Sequence, residues 1–208
     1  MNLPVGDLLR LTQWLSPAFP VSGYAYSHGL ETAMAEGRVA DAATAGAWIA
    51  CVLEYGGGAL DAWAIRAVLR GEAADDVSDL LRARAGCAER WAETRDMGAA
   101  FGAAAVATGL AEMRDHPLPV ALALRARGIA AEAVCALHLH AFAAQLVSAA
   151  VRMIPLGQGD GQAVTARLHP AIVRLAADPH ETPPGSAAFL AELDAMRHET
   201  LQPRMFRT

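Results

Sequence analysis

The chain has 208 residues, 54% of them hydrophobic, and its 22 acidic and 17 basic side chains give a formal net charge of −5. Every basic position is an arginine and lysine is absent, which excludes a Schiff-base lysine, a lysine nucleophile and the lysine of a phosphate-binding P-loop. The arginines are scattered along an acidic chain, so we expect no nucleic-acid-binding surface.

Helical patterns dominate the first half of the chain, and alternating strand patterns are absent. Leucines at helical spacing predict an amphipathic helix over residues 3–15, which two prolines soon end because proline lacks a backbone N–H. A second helix is predicted over residues 23–36, with Gly37 as its left-handed cap. Three consecutive glycines at residues 56–58 indicate either a turn between helices or a close approach of a neighbouring helix.

Helical segments continue through the second half, and the longest is predicted over residues 129–154. The glycine-rich residues 157–161 predict a turn rather than a phosphate cradle, because they follow a helix and lack the spacing of a dinucleotide-binding loop. Along the whole chain, further helices are predicted at residues 63–69, 75–96, 97–113, 163–168, 170–176 and 186–200. The whole pattern predicts a single-domain, all-α bundle of roughly eight to ten helices, in which residues 201–208 form a flexible C-terminal tail.

One apolar stretch, residues 133–151, carries no formal charge and is long enough to span a membrane. It contains two histidines, a glutamine and a serine, and much of the rest is alanine, which contributes little to membrane insertion. A helix buried inside a helical domain explains the stretch better. The first ten residues also lack the charged and apolar regions of a signal peptide, so we expect a cytoplasmic protein with no membrane partner.

Two local patterns suggest chemistry. Residues 25–29, Ala-Tyr-Ser-His-Gly, differ by one residue from the nucleophile elbow of hydrolases, but that elbow requires a strand before it and none is predicted. A hydrolase that uses Ser27 and His28 is therefore a minor alternative. His138 and His140 point about 200° apart on a helix, so both could bind one metal ion only if the helix broke there. A helical metal-binding enzyme that uses His138 and His140 is the main alternative to a protein without catalysis.

Four segments of the chain together carry a resemblance to a known family. The longest are residues 11–31, which include LTQWLSPAFPV and GYAYSHGLE, and residues 149–158, AAVRMIPLGQ. The C-terminal MRHET and RMFRT, with the weaker ETRDMG at residues 93–98, complete the set. These segments occur in order from one end of the chain to the other, and they resemble the urease accessory protein UreF family.

The resemblance implies an all-α, non-enzymatic chaperone that takes part in nickel insertion into urease. Members of the family form dimers, bind the accessory protein UreD (also called UreH) and recruit the GTPase UreG to the urease apoprotein. Regulation of that GTPase has been proposed for the family. The resemblance further implies that nickel passes through the assembly, so that this subunit has no tightly bound cofactor and no metal site of its own.

The resemblance also implies site residues. Arg152, with Gly157 and Gln158, would contact the GTPase, since arginine suits the recognition of carboxylate or phosphate. The alternative is that Arg152 only pairs with an acidic side chain at a helix C-terminus.

Another implied set is Ser27, His28 and Glu31, which would face a partner or line a tunnel. The alternative is a hydrogen-bonded network that fixes the second helix. The tail residues are expected to bind UreD and to become ordered only there. These tail residues are Arg204, Met205, Phe206 and Arg207.

Overall fold

The computed structural model describes residues 3–179 and 181–208, and within them it contains ten α-helices, one short 3-10 helix and no strand. This confirms the prediction of an all-α bundle of eight to ten helices. In chain order the α-helices are α1 (Val5–Trp14), α2 (Leu30–Ala35), α3 (Ala42–Tyr55), α4 (Gly57–Arg70), α5 (Ala74–Arg84), α6 (Ala88–Ala107), α7 (Leu118–Arg125), α8 (Ala131–Met153), α9 (Gln158–Ala177) and α10 (Phe189–His198).

The centre of the fold is α8, which packs against α9, α4, α3 and α2. Its side chains Val134, Leu139 and Leu146 have no exposed surface. By length and composition α8 could cross a membrane, but 56% of its most apolar stretch is buried inside the protein. Small alanine side chains on the packed faces let the neighbouring helices approach α8 closely. Its apolar surface is therefore covered by protein, as in a core helix.

The predicted second helix, residues 23–36, is wrong in its first half. Residues 16–29 form a loop, here called the signature loop, that contains a 3-10 helix at Gly23–Ala25, and α2 begins only at Leu30. Ser22, His28 and Gly29 have φ angles of 59°, 59° and 82°, in the left-handed region that a right-handed helix cannot accommodate. These angles turn the chain so that the side chains before α2 point inward.

The glycine-rich segment after α8 also differs from its prediction. Residues 158–177 form one helix, α9, instead of a turn followed by two helices, and Pro170 lies inside it. A Cβ atom at Gly161 would lie 2.9 Å from Val151 and 3.3 Å from Val147 of α8. Position 161 therefore requires a glycine because two helices pack closely there, and not because the chain turns.

The three consecutive glycines serve both purposes that the sequence left open. Gly56 lies between α3 and α4, so the run does mark a turn between helices. A Cβ atom at Gly58 would lie 2.7 Å from the backbone of Leu53, and one at Gly57 would lie 3.1 Å from the ring of His28. The run thus also lets the signature loop approach α4.

Candidate functional site

The C-terminal tail, residues 201–208, packs against the signature loop. The backbone N–H of Arg207 donates to the carbonyl of Ala25 (2.8 Å), and the N–H and hydroxyl of Ser27 donate to the carbonyl of Thr208 (2.7 and 2.5 Å). The structure therefore differs from the prediction of a flexible tail that orders only on a partner. Paired backbone groups, together with the buried ring of Phe206, offset the entropy lost when eight residues become ordered.

Glu31 of α2 is buried, with only 3% of its surface exposed, and it holds the tail in place. Its two carboxylate oxygens accept hydrogen bonds from the backbone N–H groups of Met205 (2.6 Å) and Phe206 (2.9 Å). The Nε2 atom of His198 lies 2.9 Å from the same carboxylate. Because a buried carboxylate is costly unless donors satisfy it, Glu31 and the tail hold each other in place.

His198 is fully buried between two carboxylates. Its Nδ1 atom lies 2.7 Å from Glu89, while Nε2 faces Glu31. Arg204 of the tail donates to the other oxygen of Glu89 (2.6 Å). Each of the two ring nitrogens therefore faces an acceptor oxygen of a carboxylate. This chain of groups joins α2, α6, α10 and the tail.

A second buried cluster surrounds Arg90 on α6. Its guanidinium lies 3.3 Å from Asp61 of α4 and 3.6 Å from Glu93. The Nε2 atom of His138, on α8, forms a hydrogen bond of 3.0 Å with Asp61. On the other side, Nδ1 of His28 lies 3.5 Å from Glu93, which is an ion-pair distance. The cluster thus connects three helices to the signature loop.

Both carboxylates of this cluster have a lowered pKa. Burial alone would raise the pKa of Asp61, but the charge of Arg90 and the hydrogen bond with His138 outweigh it and bring it below the usual 3.8. Burial likewise raises the pKa of Glu93, and the charges of Arg90 and His28 bring it below the usual 4.5. At neutral pH the cluster therefore holds two ionised carboxylates around the guanidinium of Arg90.

Two cavities reach this cluster. The larger has a volume of about 490 Å³ and is lined by residues of α1, the signature loop, α6 and α8. The smaller, of about 70 Å³, lies beside His28 and Thr208. Asp61, Arg90 and Glu93 line both cavities, so one ion-paired cluster faces two internal spaces. The sequence did not point to Asp61 or Arg90, because no local motif marks an ion pair between helices.

Arg152 lies exposed in the last turn of α8. Its Nη2 atom donates to the carbonyl of Tyr24 (2.8 Å), and its Nε atom donates to the carbonyl of Ser148 (3.2 Å). Its Cζ atom lies 4.5 Å from the centre of the Phe206 ring. Within the described parts of the chain no carboxylate pairs with Arg152, so the alternative of a helix-end ion pair does not describe it. With two of five N–H donors in use, three remain for another molecule.

Gly157 and Gln158 lie at the same end of the α8–α9 pair as Arg152. Gly157 is the N-terminal cap of α9 and Gln158 is its first residue, and both are exposed. The buried side chain of Leu156 anchors the turn that leads to them. Tyr24 and Met205 are also exposed, by 68% and 63%. Arg152 donates to the backbone carbonyl of Tyr24, and Met205 directly precedes Phe206, whose ring contacts Arg152.

We define the Arg152 surface as Tyr24, Arg152 and Met205. This surface combines residues that the sequence analysis had assigned to two different interfaces. Arg152 was assigned to the contact with the GTPase, and Met205 to the tail. Tyr24 lies inside a quoted motif but was not singled out, because nothing in the motif tells which of its aromatic rings points outward. His198 also lies inside a quoted motif but was not singled out, because its role depends on the carboxylates of Glu31 and Glu89, which are far away in the sequence.

The geometry gives little support to hydrolase chemistry. Ser27 has no exposed surface, and its hydroxyl donates to the carbonyl of Thr208 instead of to a base. The ring of His28 faces Glu93. Because a hydrolytic serine must reach a substrate and be paired with a base, this pair does not form such a site.

His138 and His140 also lie in different surroundings. His138 is buried against Asp61, whereas His140 is exposed and packs against His169 of α9. A site that used both would have to break the hydrogen bond between His138 and Asp61. Within the described residues no group of three or more histidine, cysteine or acidic side chains is arranged to hold a metal ion.

Comparison with known proteins gives one consistent result. A family model described as UreF matches residues 39–169. The chain is 53% identical to a urease accessory protein UreF of Cereibacter sphaeroides over 206 residues, which cover 97% of this chain and 98% of that protein. It is 47% identical to one from Jannaschia (98% and 95% covered) and 44% identical to one from Paracoccus denitrificans (99% and 98% covered).

Proposed function

The chain belongs to the UreF family of urease accessory proteins, and we propose that it is a non-enzymatic scaffold for nickel insertion into the urease apoprotein. It bridges the accessory protein UreD (UreH) and the GTPase UreG in the cytoplasm. Nickel is cargo of the assembly and not a resident cofactor. The absence of lysine supports the division of labour, because a chain without a P-loop lysine leaves nucleotide chemistry to its partner.

This proposal rests mainly on the exposure of Arg152 and on the contacts of its guanidinium. Its guanidinium is exposed, fixed by two backbone carbonyls and an aromatic ring, and has no acidic partner among the described residues. A cation held in one orientation with free donors is suited to bind a carboxylate or phosphate of another protein. Tyr24 and Met205 add apolar area around it, as is typical of the centre of an interface. We therefore assign GTPase recognition to the Arg152 surface, with Gly157 and Gln158 at its edge.

The tail serves a second interface in this proposal. Arg204, Met205 and Arg207 expose much of their side chains, by 42%, 63% and 66%. Arg204 and Arg207 are available to UreD, Met205 lies where this interface meets the Arg152 surface, and Phe206 faces inward. Ser27, His28 and Glu31 are buried, which favours the alternative of a network over direct partner contact. Their proposed role is to hold the tail and the signature loop in the shape that the partners bind.

A homodimer is also part of the proposal. Val5, Leu8 and Leu9 of α1 expose 72%, 44% and 65% of their surface, an apolar patch that a second copy would cover. Light scattering of the purified chain tests this, and Leu9→Arg should shift a dimer towards monomer. A wild-type mass of one chain at micromolar concentration would contradict it.

Pull-down with purified UreG tests the assignment of Arg152. Arg152→Ala should reduce capture of UreG at least tenfold and lower urease activation in a reconstituted assay. Arg167→Ala is a matched control, because Arg167 is also exposed and donates to a backbone carbonyl, that of Ala42. We expect the control to bind UreG as the wild type does. Unchanged capture by Arg152→Ala, with normal folding by circular dichroism, would contradict the assignment.

Capture of UreD in the same experiment separates the two interfaces. Arg152→Ala should still bind UreD if the tail surface serves that partner. Removal of the exposed tail groups by Arg207→Ala should weaken UreD capture and leave the folded body unchanged. Loss of both partners in Arg152→Ala alone would show that the two surfaces are not separate.

A further inference from the structure

The larger of the two cavities has the size and the lining of a small-molecule site. Its volume of about 490 Å³ lies within the range of about 300–1,000 Å³ that is usual for ligand pockets in proteins. Apolar side chains make up most of the lining, among them Trp14, Met97 and Phe142. The carboxylates of Asp61 and Glu93 belong to the same lining. An apolar space with a few charged groups can hold a ligand that is itself apolar with one charged end.

The cavity connects solvent with these carboxylates. Thr12, Tyr24 and Ser148 line it and are exposed, so they mark where it opens. Asp61 and Glu93 are only 5% and 2% exposed and mark its buried part. A molecule that enters therefore leaves water behind and meets charge in a buried setting, where an electrostatic contact is stronger than at the surface.

One carboxylate oxygen in this buried part lacks a hydrogen bond. Thr208, His28 and Arg90 all approach Glu93 through its Oε2 atom, at 3.2, 3.5 and 3.6 Å. Among the described residues no donor forms a hydrogen bond with the Oε1 atom of Glu93. A buried charged oxygen without a donor is costly, so this atom is suited to accept a hydrogen bond from a ligand.

The charges around the cavity favour a cation. Arg90 is the one arginine among the described residues that line it, and it faces the two ionised carboxylates of Asp61 and Glu93. Its guanidinium lies 3.3 Å from Asp61 and 3.6 Å from Glu93, which exceeds the length of about 2.7–2.9 Å that is typical of charge-assisted hydrogen bonds. The carboxylates therefore retain capacity for a second cation, whereas an anion would be repelled by both.

We propose that this cavity binds a small organic cation, a primary amine that carries an apolar body of about the size of a phenyl ring and a short alkyl chain. The ammonium group donates to Oε1 of Glu93 and lies beside Asp61, and the apolar body packs against Trp14 and Phe142. An ammonium group has three donors and no acceptor, which matches a lining of carboxylate oxygens. The proposal does not depend on the scaffold function, because no partner protein contributes to the cavity.

Isothermal titration of the full chain at neutral pH tests the class of ligand. The probes are phenethylamine, phenethyl alcohol and hydrocinnamate, which share an apolar body and differ in the charge at its end. We expect the amine to bind at least about tenfold more tightly than the alcohol, because only the amine forms a charge-assisted hydrogen bond with Glu93. Hydrocinnamate should not bind. An alcohol or a carboxylate that binds as tightly as the amine, or no binding of the amine at millimolar concentration, would overturn the proposal.

Glu93→Gln tests the contact with the charged end. The change keeps the shape of the side chain and removes its charge, so the amine should lose its advantage over the alcohol while the alcohol binds as before. Glu112→Gln is the matched control, because Glu112 is exposed and does not line the cavity. It should bind all three probes as the wild type does. Wild-type preference for the amine in Glu93→Gln would contradict the assigned contact.

Ala144→Phe tests the cavity without changing its charges. Ala144 of α8 lines the cavity, and a phenyl ring there would fill part of the space that the ligand needs. Ala166→Phe places the same ring on the exposed face of α9, outside the cavity, and is the control. Phenethylamine at a hundredfold excess over Kd should raise the Tm of wild type and of Ala166→Phe, since a ligand that binds the folded chain stabilises it. A rise of equal size in Ala144→Phe would place the bound amine elsewhere and overturn the site.

Discussion

The guanidinium of Arg152 lies over the ring of Phe206, so the last turn of α8 and the C-terminal tail share one contact. Arg152 is exposed and Phe206 is buried, which means that the ring supports the cation from inside the fold. An exposed arginine side chain normally samples many rotamers, and a ring beneath it together with two backbone acceptors reduces that freedom. The orientation of Arg152 therefore depends on whether the tail is docked.

Phe206→Ala should release the tail. Truncation of a buried phenylalanine typically costs about 3–5 kcal/mol, which is large for a segment of eight residues. The expected result is faster tryptic cleavage after Arg204 and weaker binding of UreG through the loss of support for Arg152. Met205→Ala, at an exposed position, should leave cleavage as it is in the wild type. Equal cleavage rates in the two variants would show that Phe206 is not the anchor.

Glu31→Gln should loosen the same tail by a different route. The change keeps the shape of the side chain but removes the charge that accepts hydrogen bonds from two tail amides and faces His198. Loss of such bonds typically costs about 1–3 kcal/mol. Amide hydrogen exchange at Met205 and Phe206 should therefore accelerate by one to two orders of magnitude.

The control for that change is Glu36→Gln. Glu36 pairs with Arg38 at the surface, where water screens the pair, so its loss should leave the free energy of unfolding nearly unchanged. Tail amides should exchange at the wild-type rate in this variant. Slow exchange in Glu31→Gln as well would mean that the tail is held by apolar burial alone.

Gly98→Ala should destabilise the fold strongly. An ideal Cβ atom at Gly98 would overlap the carbonyl oxygen of His116, which requires the backbone to move. We expect a loss of about 1–3 kcal/mol, as is typical of overpacking. Gly102→Ala, four residues along α6 and with no atom within 4 Å of its Cβ, should instead be neutral or gain up to about 1 kcal/mol. Urea unfolding of both variants measures the difference.

Acid should unfold the protein through the Arg90 cluster. The pKa values of Asp61 and Glu93 are lower in the folded chain than their usual 3.8 and 4.5. Their stabilisation is therefore complete above those usual values and is lost as the pH falls through the lowered ones. The urea midpoint should stay nearly constant from neutral pH to about pH 5 and then fall steeply below about pH 4.

Asp61→Asn tests the source of that fall. It should lower stability at neutral pH, because Arg90 and His138 lose a charged partner, and it should flatten the acid dependence. Asp79→Asn, at an exposed position, should keep the wild-type profile. A steep acid transition of wild-type size in Asp61→Asn would assign the effect to other carboxylates.

The sequence predicted the fold class because helix formation depends on local composition. The uncharged residues 133–151 and the stop at Pro155 predicted α8 nearly to its ends. The opposite surroundings of His138 and His140 also follow from the period of a helix. These properties depend on residues within a few turns of each other, so a pattern along the chain contains them.

What the sequence could not predict depends on distant partners. Ser22 and His28 adopt left-handed angles, which are uncommon outside glycine, and the fold around them fixes those angles. Gly161 looks like a turn residue until Val151 is placed beside it. The docked tail depends on Glu31, about 175 residues away, so its polar composition alone predicted the wrong state.

The signature loop and the tail lie at opposite ends of the sequence, so they can pack together only late in the synthesis of the chain. Ser27 and Thr208, which share a hydrogen bond, are 181 residues apart, and synthesis delivers N-terminal segments first. The buried carboxylate of Glu31 consequently lacks these backbone donors until Met205 and Phe206 have been synthesised. A nascent chain that has not yet reached Phe206 has nothing beneath Arg152, so it cannot present the complete binding surface. If the Arg152 surface binds a partner as proposed, only chains whose synthesis has passed that residue would be able to recruit it.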